Sequence, residues 1–344
     1  MAATVRVGVN GYGVIGKRVA DAVQLQSDMT LVGAADVAAD YRMRVAAQRG
    51  VRPFGSTGDA VDALTGAGLG PAGGLDDLLD QVDVIVDTTP KRVGAANKVR
   101  YDSAKVKSVF QGGESHDLTG FSFVAQANYA AALGRDSARV VSCNTTALVR
   151  VLGALREYGL LGRARAVLLR RATDPWESHL GGMINTVLPE TTVPSHQGPD
   201  AGTVLGEIDL ITVAAAAPVN LAHIHFLTVE ADRDLSRDDV VAALASATRV
   251  AFVQSHDGVA APNSIIEIAR DLGRPRADVW EVAVWEDILA VHGREIFLSY
   301  MVHNESIVVP ENVDAIRALT GIESNASASI HRTDTALGVR NTLP

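Results

Sequence analysis

Val140-Val141-Ser142-Cys143-Asn144-Thr145-Thr146 places the only cysteine of the chain where a β-type run gives way to an amphipathic helical pattern, Thr145–Tyr158. Backbone N–H groups at a helix start favour negative charge, so a thiol there is suited to ionise and act as a nucleophile. Asn144, Thr145 or Thr146 would cap that helix, and their spare donors would suit a developing oxyanion. An inert buried cysteine is the other reading of the same residues. A nucleophile needs a proton partner. Leu221–Phe226 reads as a strand carrying His223 and His225, which at i and i+2 share one face. One can reach Cys143 while the other packs or holds a hydrogen bond. No HExxH pattern or further clustered ligand accompanies them, so no metal site is expected.

A second chemistry is written near the N-terminus. Gly11-Tyr12-Gly13-Val14-Ile15-Gly16 is GxGxxG, set between an apolar run (Val5–Asn10) and a helical pattern (Val14–Leu25). In that setting the first glycine permits a tight turn, the second lets a pyrophosphate approach the backbone, and the third allows close helix–strand packing. Asp36 follows 20 residues after Gly16, at the end of the next apolar run. A carboxylate there accepts from an adenosine ribose and repels a 2′-phosphate, which favours NAD over NADP. Two anion-binding candidates remain: Arg170-Arg171 at the end of AVLLRR, and Ser195-His196-Gln197-Gly198 in a Pro-Gly loop. Planar guanidinium forks suit a phosphate, although adjacent arginines also commonly end a strand in solvent.

The elements that must position these residues fall into two styles. Over the first ~140 residues, short apolar runs (Val5–Asn10, Thr30–Ala35, Val84–Asp87, Ser108–Gln111, Arg139–Ser142) alternate with helix-length segments, which predicts a doubly wound parallel sheet. Residues 51–74, rich in Gly and Ala, read as a surface excursion. After Cys143, long β-type runs (Arg165–Arg171, Ile211–Ala215, His223–Ala231, Val282–Tyr300) and helices (Arg237–Ala247, Ser264–Leu272) predict a mixed, mainly antiparallel sheet. Pro310 opens a further helix, Val313–Thr320. The last ~20 residues are polar and are expected to be only partly ordered. A chain of 344 residues with 47% hydrophobic residues has room for about two domains. A net charge of −9 excludes a whole-chain basic field for nucleic acid or anionic lipid. One cysteine excludes an intrachain disulfide, and no ~18-residue apolar run or signal-type h-region is present, so a cytoplasmic, non-membrane protein is expected.

With those residues in hand, the chain resembles the archaeal-type (class II) glyceraldehyde-3-phosphate dehydrogenases. The resemblance is carried by NGYGVIGKRVADAV (10–23), FQGGE (110–114), VVSCNTT (140–146), AVLLRRATDP (166–175), PSHQGPD (194–200), PVNLAHIH (218–225) and HNESIVVPENVDAIRA (303–318). It implies a Rossmann-type NAD-binding domain (1–141), an α+β catalytic domain (142–303) and a C-terminal helical segment (304–344) packing back on the first. It implies Cys143 as nucleophile and His223 as its base. Ser142, Asn144, Thr145, Arg170, His196 and Gln197 would meet the substrate or phosphate. Val14, Ile15, Gly112, Gly113, Arg171 and Asn304 would meet the cofactor, beside the Gly11, Gly13, Gly16 and Asp36 already read from the glycine turn and the strand end after it. The implied activity is oxidation of glyceraldehyde 3-phosphate with NAD and inorganic phosphate, through a cysteine thioester, by a homotetramer. The chain departs from the family where a Lys-Thr-Arg run becomes Ala35-Asp36-Val37-Ala38, where paired histidines become His196-Gln197, where Gln becomes Asn304, and over 176–182. These departures bear on the cofactor and on the aldehyde; another phosphorylated or anionic aldehyde is the alternative substrate.

Overall fold

The computed structural model describes residues 4–111, 113–180 and 185–344. The chain divides into two compact units, Met1–Val141 with Val309–Gly338, and Ser142–Val308 with Val339–Pro344.

The first unit is built on seven strands: β1 (Val5–Asn10), β2 (Met29–Asp36), β3 (Pro53–Gly55), β4 (Val84–Asp87), β5 (Lys107–Phe110), β6 (Ser122–Phe123) and β7 (Ser137–Val140). Their order is β3-β2-β1-β4-β5-β7-β6, and every neighbouring pair is parallel. The central strands are buried on both faces, which is why β4 is an unbroken apolar run ending at Asp87. The chain leaves β1 toward β2 on one side, and β4 lies on the other. That reversal opens a crevice at the carboxyl ends of β1 and β4, and the Gly11–Gly16 turn follows β1 there.

Residues 51–74 are not an excursion. They supply β3 and helix Gly58–Gly66, capped by Thr57, with Phe54 and Leu64 fully buried. Only Ala60 and Leu64 of that helix face inward, too few to register as a period. The C-terminal stretch is likewise ordered as helix Ala326–Leu337, capped by the Asn325 side chain. Its inward face is partly polar: the Ser329 and Thr333 hydroxyls both donate to Asp314 Oδ1 at 2.7 Å. A buried face of hydroxyls leaves little hydropathy signal.

The second unit holds β8 (Arg163–Arg171), β9 (Leu188–Pro189), β10 (Asp209–Ala217), β11 (His223–Glu230), β12 (Val250–Val253), β13 (Val282–Trp285), β14 (Ala290–His292) and β15 (Glu295–Val302). The order is β12-β13-β15-β11-β8-β10-β9, with β14 on β15. β8–β10 and β12–β13 are parallel and the other pairs antiparallel, so the sheet is mixed and mainly antiparallel. The run expected over Val282–Tyr300 breaks into three strands, with Gly293 at φ +61° turning β14 into β15. Helices Cys143–Glu157, Gln197–Leu205 and Arg237–Ser246 cover one face. Alternation places His223, His225, Leu227 and Val229 on the buried side of β11, and Phe226 on the other. Among the described residues no helix is long and apolar enough to cross a membrane.

Candidate active site

The glycine turn has the space that its residue types require. Gly11 has φ +92°, and a Cβ there would lie 2.9 Å from the Thr88 backbone. A Cβ on Gly16 would fall 1.8 Å from Gly11 O, so only glycine lets helix Val14–Gln24 seat against the turn. A Cβ on Gly13 would meet a single atom, Arg42 Nη1 at 3.9 Å, which leaves its backbone open to approach. Val14 and Ile15 open the helix, and their N–H groups have no preceding helical carbonyl to bond. An open glycine beside free N–H groups fits the pyrophosphate of a dinucleotide. Asp36 is buried, and its carboxylate accepts from Tyr12 N at 2.6 Å and Ala38 N at 2.9 Å. It therefore ties the turn to the end of β2. Gly113 is exposed with φ +83°; Gly112 lies outside the described residues. Sequence reasoning passed over Arg42, the cation beside Gly13. Its guanidinium is engaged by Asp40, with Nε–Oδ2 2.9 Å and Nη2–Oδ2 2.7 Å.

In the second unit, the helix bearing the cysteine begins earlier than its pattern suggested. Ser142 is the N-cap, its Oγ accepting from Thr145 N, and Cys143 is the first helical residue. Thr145, expected near substrate, is fully buried; its hydroxyl donates to Asp200 Oδ2 at 2.8 Å and ties this helix to Gln197–Leu205. Cys143 Sγ lies 3.5 Å from His223 Nε2. β8 runs antiparallel to β11, and from its end Arg171 N–H donates to His223 Nδ1 at 2.9 Å. An Nδ1 that accepts leaves the ring proton of a neutral imidazole on Nε2. His223 thus faces the sulfur as a donor rather than as the base expected from the sequence.

The electrostatics agree. Burial, with His225, Arg171 and Arg170 adding to it, holds His223 well below the usual histidine range. Burial pushes the Cys143 thiol up, against the pull of Arg171, the Asn144 backbone N–H and Arg170. The free protein therefore holds a neutral imidazole beside a thiol whose anion has three stabilising neighbours.

The remaining residues surround that pair with charge. Arg170 is paired with Glu190, whose other oxygen lies 3.9 Å from the exposed His196. Arg171 Nη2 meets Asp174 Oδ1 at 2.9 Å, and Asn304 Nδ2 meets the same oxygen at 3.0 Å. Glu190 and Asp174 were invisible as site residues in the sequence: single acids in loops carry no pattern. Arg170 Nε, Arg171 Nε, Asn304 Oδ1 and both polar atoms of Gln197 are sealed from solvent without a hydrogen-bond partner. Unmet buried polar groups gathered in this way call for ligand or water. Of the altered 176–182 stretch, Gly181 and Gly182 lie outside the described residues. Among the described residues no group of three His, Cys, Asp or Glu is gathered to hold a metal ion.

A dinucleotide-type parallel sheet in one unit, and a helix-tip thiol beside an imidazole in the other, define the class of thiol-based oxidoreductases that use a nicotinamide cofactor. Comparison with known proteins narrows the class. A family model described as glyceraldehyde 3-phosphate dehydrogenase, C-terminal domain, matches residues 142–287. The chain is 45% identical to the glyceraldehyde-3-phosphate dehydrogenase of Thermococcus kodakarensis over 97% of this chain and 99% of that one. It is 44% identical to that of Methanosarcina mazei, with the same coverage, and 44% identical to that of Methanopyrus kandleri over 99% of each. The chain belongs to the archaeal-type glyceraldehyde-3-phosphate dehydrogenase family.

Proposed function

We propose that this protein is a phosphorylating glyceraldehyde-3-phosphate dehydrogenase that uses NAD, with the first unit holding the cofactor and the second carrying the chemistry. The observation that carries the reading is the 3.5 Å approach of Cys143 Sγ to His223 Nε2 at a helix N-terminus, with Arg170 and Arg171 alongside. The Cys143 thiolate adds to the aldehyde carbon, and the carbonyl electron pair moves to oxygen. His223 Nε2–H and the donors of the helix start stabilise that oxyanion. When bound, the nicotinamide cofactor would supply the acceptor for the hydride that this carbon gives up. Collapse of the oxyanion leaves a thioester on Cys143; a phosphate oxygen attacks it, the thiolate departs, and an acyl phosphate is released. Arg170 and His196 are the groups suited to hold the phosphate oxygens, and Ser142 and Gln197 to meet the substrate. The resemblance assigns Arg171 and Asn304 to the cofactor; Asp174, bonded to both, fixes their side chains.

NAD in preference to NADP rests on Asp36 and on the Asp40 carboxylate that engages Arg42, since together they leave no free cation among the described side chains near Gly13 for a 2′-phosphate. A homotetramer is proposed from the family resemblance together with the outer face of the second sheet. There Val213, Val167 and Phe226 stand in one cross-strand row, with Ile211 and Phe297 in the next, all at least 37% exposed. An apolar face of that kind suits a second copy of the chain. The deciding assay is NADH formation from glyceraldehyde 3-phosphate with and without inorganic phosphate or arsenate; sustained turnover is expected only with the anion. A second reading, another phosphorylated or anionic aldehyde, draws on Gln197 and on the Glu190 that already occupies Arg170. A panel of aldehydes compared by kcat/KM decides between them.

A further inference from the structure

His225 has no part in the chemistry above, yet it is the most completely buried imidazole near the cysteine. Its neighbours define its tautomer. Tyr300 lies opposite it on β15, and the Tyr300 hydroxyl is 3.1 Å from His225 Nδ1. On the other side, His225 Nε2 is 2.8 Å from Asn144 Oδ1. Oδ1 is an acceptor only, so Nε2 carries the proton; Nδ1 then accepts, and Tyr300 donates. Burial holds Tyr300 and His225 in their neutral forms, pushing the tyrosine up and the histidine down to about 3. All three side chains are at most 4% exposed, so no water substitutes for these bonds.

The consequence falls on Asn144. With Oδ1 committed inward, its Nδ2 is the end that points away from the relay. Nδ2 has no partner among the described residues and, unlike the polar ends of Gln197, is not sealed from solvent. Asn144 follows Cys143 in the first helical turn. The two histidines of β11 address these two consecutive residues, His223 meeting Cys143 Sγ and His225 meeting Asn144. We propose that Tyr300 and His225 are positioning residues that lock the Asn144 amide with Nδ2–H toward the oxygen of the tetrahedral adduct on Cys143, making Asn144 a donor of the oxyanion hole. Loss of the Tyr300 hydroxyl frees His225 to place its proton on Nδ1. The amide of Asn144 then gains a reason to flip, presenting an oxygen where a donor is needed.

The inference rests on Cys143 being the nucleophile, but not on the identity of the aldehyde, cofactor or acyl acceptor, and the test is chosen accordingly. Acylation of Cys143 by a p-nitrophenyl ester passes through a tetrahedral oxyanion; alkylation by iodoacetamide does not. Asn144→Ala is expected to slow acylation by about 10²-fold, and Tyr300→Phe by about tenfold, with alkylation rates unchanged in both. Tyr300→Phe added to Asn144→Ala is expected to have no further effect, because the relay has nothing left to orient. Equal losses in acylation and alkylation, or a full Tyr300→Phe effect in the Asn144→Ala background, would overturn the relay. An enzyme that forms no NADH from glyceraldehyde 3-phosphate, yet shows the acylation pattern, would overturn the proposed substrate and leave the relay standing.

Discussion

Arg171 N–H donates to His223 Nδ1 at 2.9 Å, and this one backbone bond determines what the imidazole offers the sulfur. It exists because β8 and β11 pair antiparallel, so its geometry is fixed by sheet register rather than by a flexible side chain. A protonated His223 would have to give the bond up, since both ring nitrogens would then be donors. Burial and the two arginines act in the same direction.

The pH dependence follows from those signs. The thiolate is the reactive form, and burial raises the Cys143 thiol above its ordinary value, so reactivity grows as pH rises toward that value. His223 is held neutral, so it adds no titration near the ordinary histidine value of about 6.5. The rate of iodoacetamide inactivation against pH is expected to show one rising limb on the alkaline side. A plateau already reached in mild acid would mean a stable thiolate–imidazolium pair, and would refute the neutral assignment.

Replacing the sulfur tests the centre of the proposal. Cys143→Ser leaves the helix cap and His223 in place but substitutes a hydroxyl that scarcely ionises. Turnover is expected to fall by at least about 10³-fold, with NAD binding by fluorescence titration unchanged. Substantial residual turnover would remove Cys143 from the mechanism.

Glu190 stands where an anion would bind. Its carboxylate pairs with Arg170, and its backbone is anchored by a 2.8 Å bond from its N–H to Ala214 O, so only the side chain need move for phosphate to enter. The pair is partly exposed, and such pairs contribute up to about 1 kcal/mol. Glu190→Gln is therefore expected to lower the KM for inorganic phosphate by about fivefold, with kcat little changed. An unchanged or higher KM would place the phosphate elsewhere.

How far these features were legible in the sequence depends on whether they are local. The glycine turn, the parallel alternation and the Cys143 helix follow from short-range pattern, and both sheets came out in the expected class. The tautomer of His223, the relay through Tyr300, the Glu190 at Arg170 and the Asn304–Asp174 bond depend on pairings across 20 to 130 residues, which no short window of sequence reports. The helices Gly58–Gly66 and Ala326–Leu337 escaped for another reason: the first buries only Ala60 and Leu64, and half of the second's inward face is Ser329 and Thr333, so neither presents a full apolar stripe.

Cofactor choice is expected to respond to two carboxylates in different ways. Asp40→Asn loosens the hold on Arg42, the cation beside Gly13, so kcat/KM with NADP should rise relative to NAD while stability barely changes. Asp36→Ala removes the repulsive carboxylate but also the acceptor that Tyr12 N–H and Ala38 N–H now use, so a similar shift in preference should come with a loss of about 1–3 kcal/mol. An NADP/NAD ratio unmoved in both variants would refute the discrimination assigned to this end of β2.

Stability of the first unit should hinge on Arg317, which is fully buried in helix Val309–Thr320. Its guanidinium donates to both oxygens of Asp28, to Gln26 Oε1 and to the Thr333 hydroxyl. Arg317 and Arg332 hold the Asp28 carboxyl below its ordinary value despite partial burial. A depressed carboxylate contributes stability that is complete above its ordinary value of 3.8 and is lost as pH falls through the lower folded value. Asp28→Asn leaves the buried guanidinium only Asp314, 3.7 Å away, as a counter-charge at every pH. It should therefore cost about 1–3 kcal/mol at neutral pH, read as a lowered urea midpoint. The difference from the unaltered protein should shrink in strong acid, where Asp28 itself is protonated. A midpoint shift that stays constant down to that range would mean that packing, not charge, accounts for the loss.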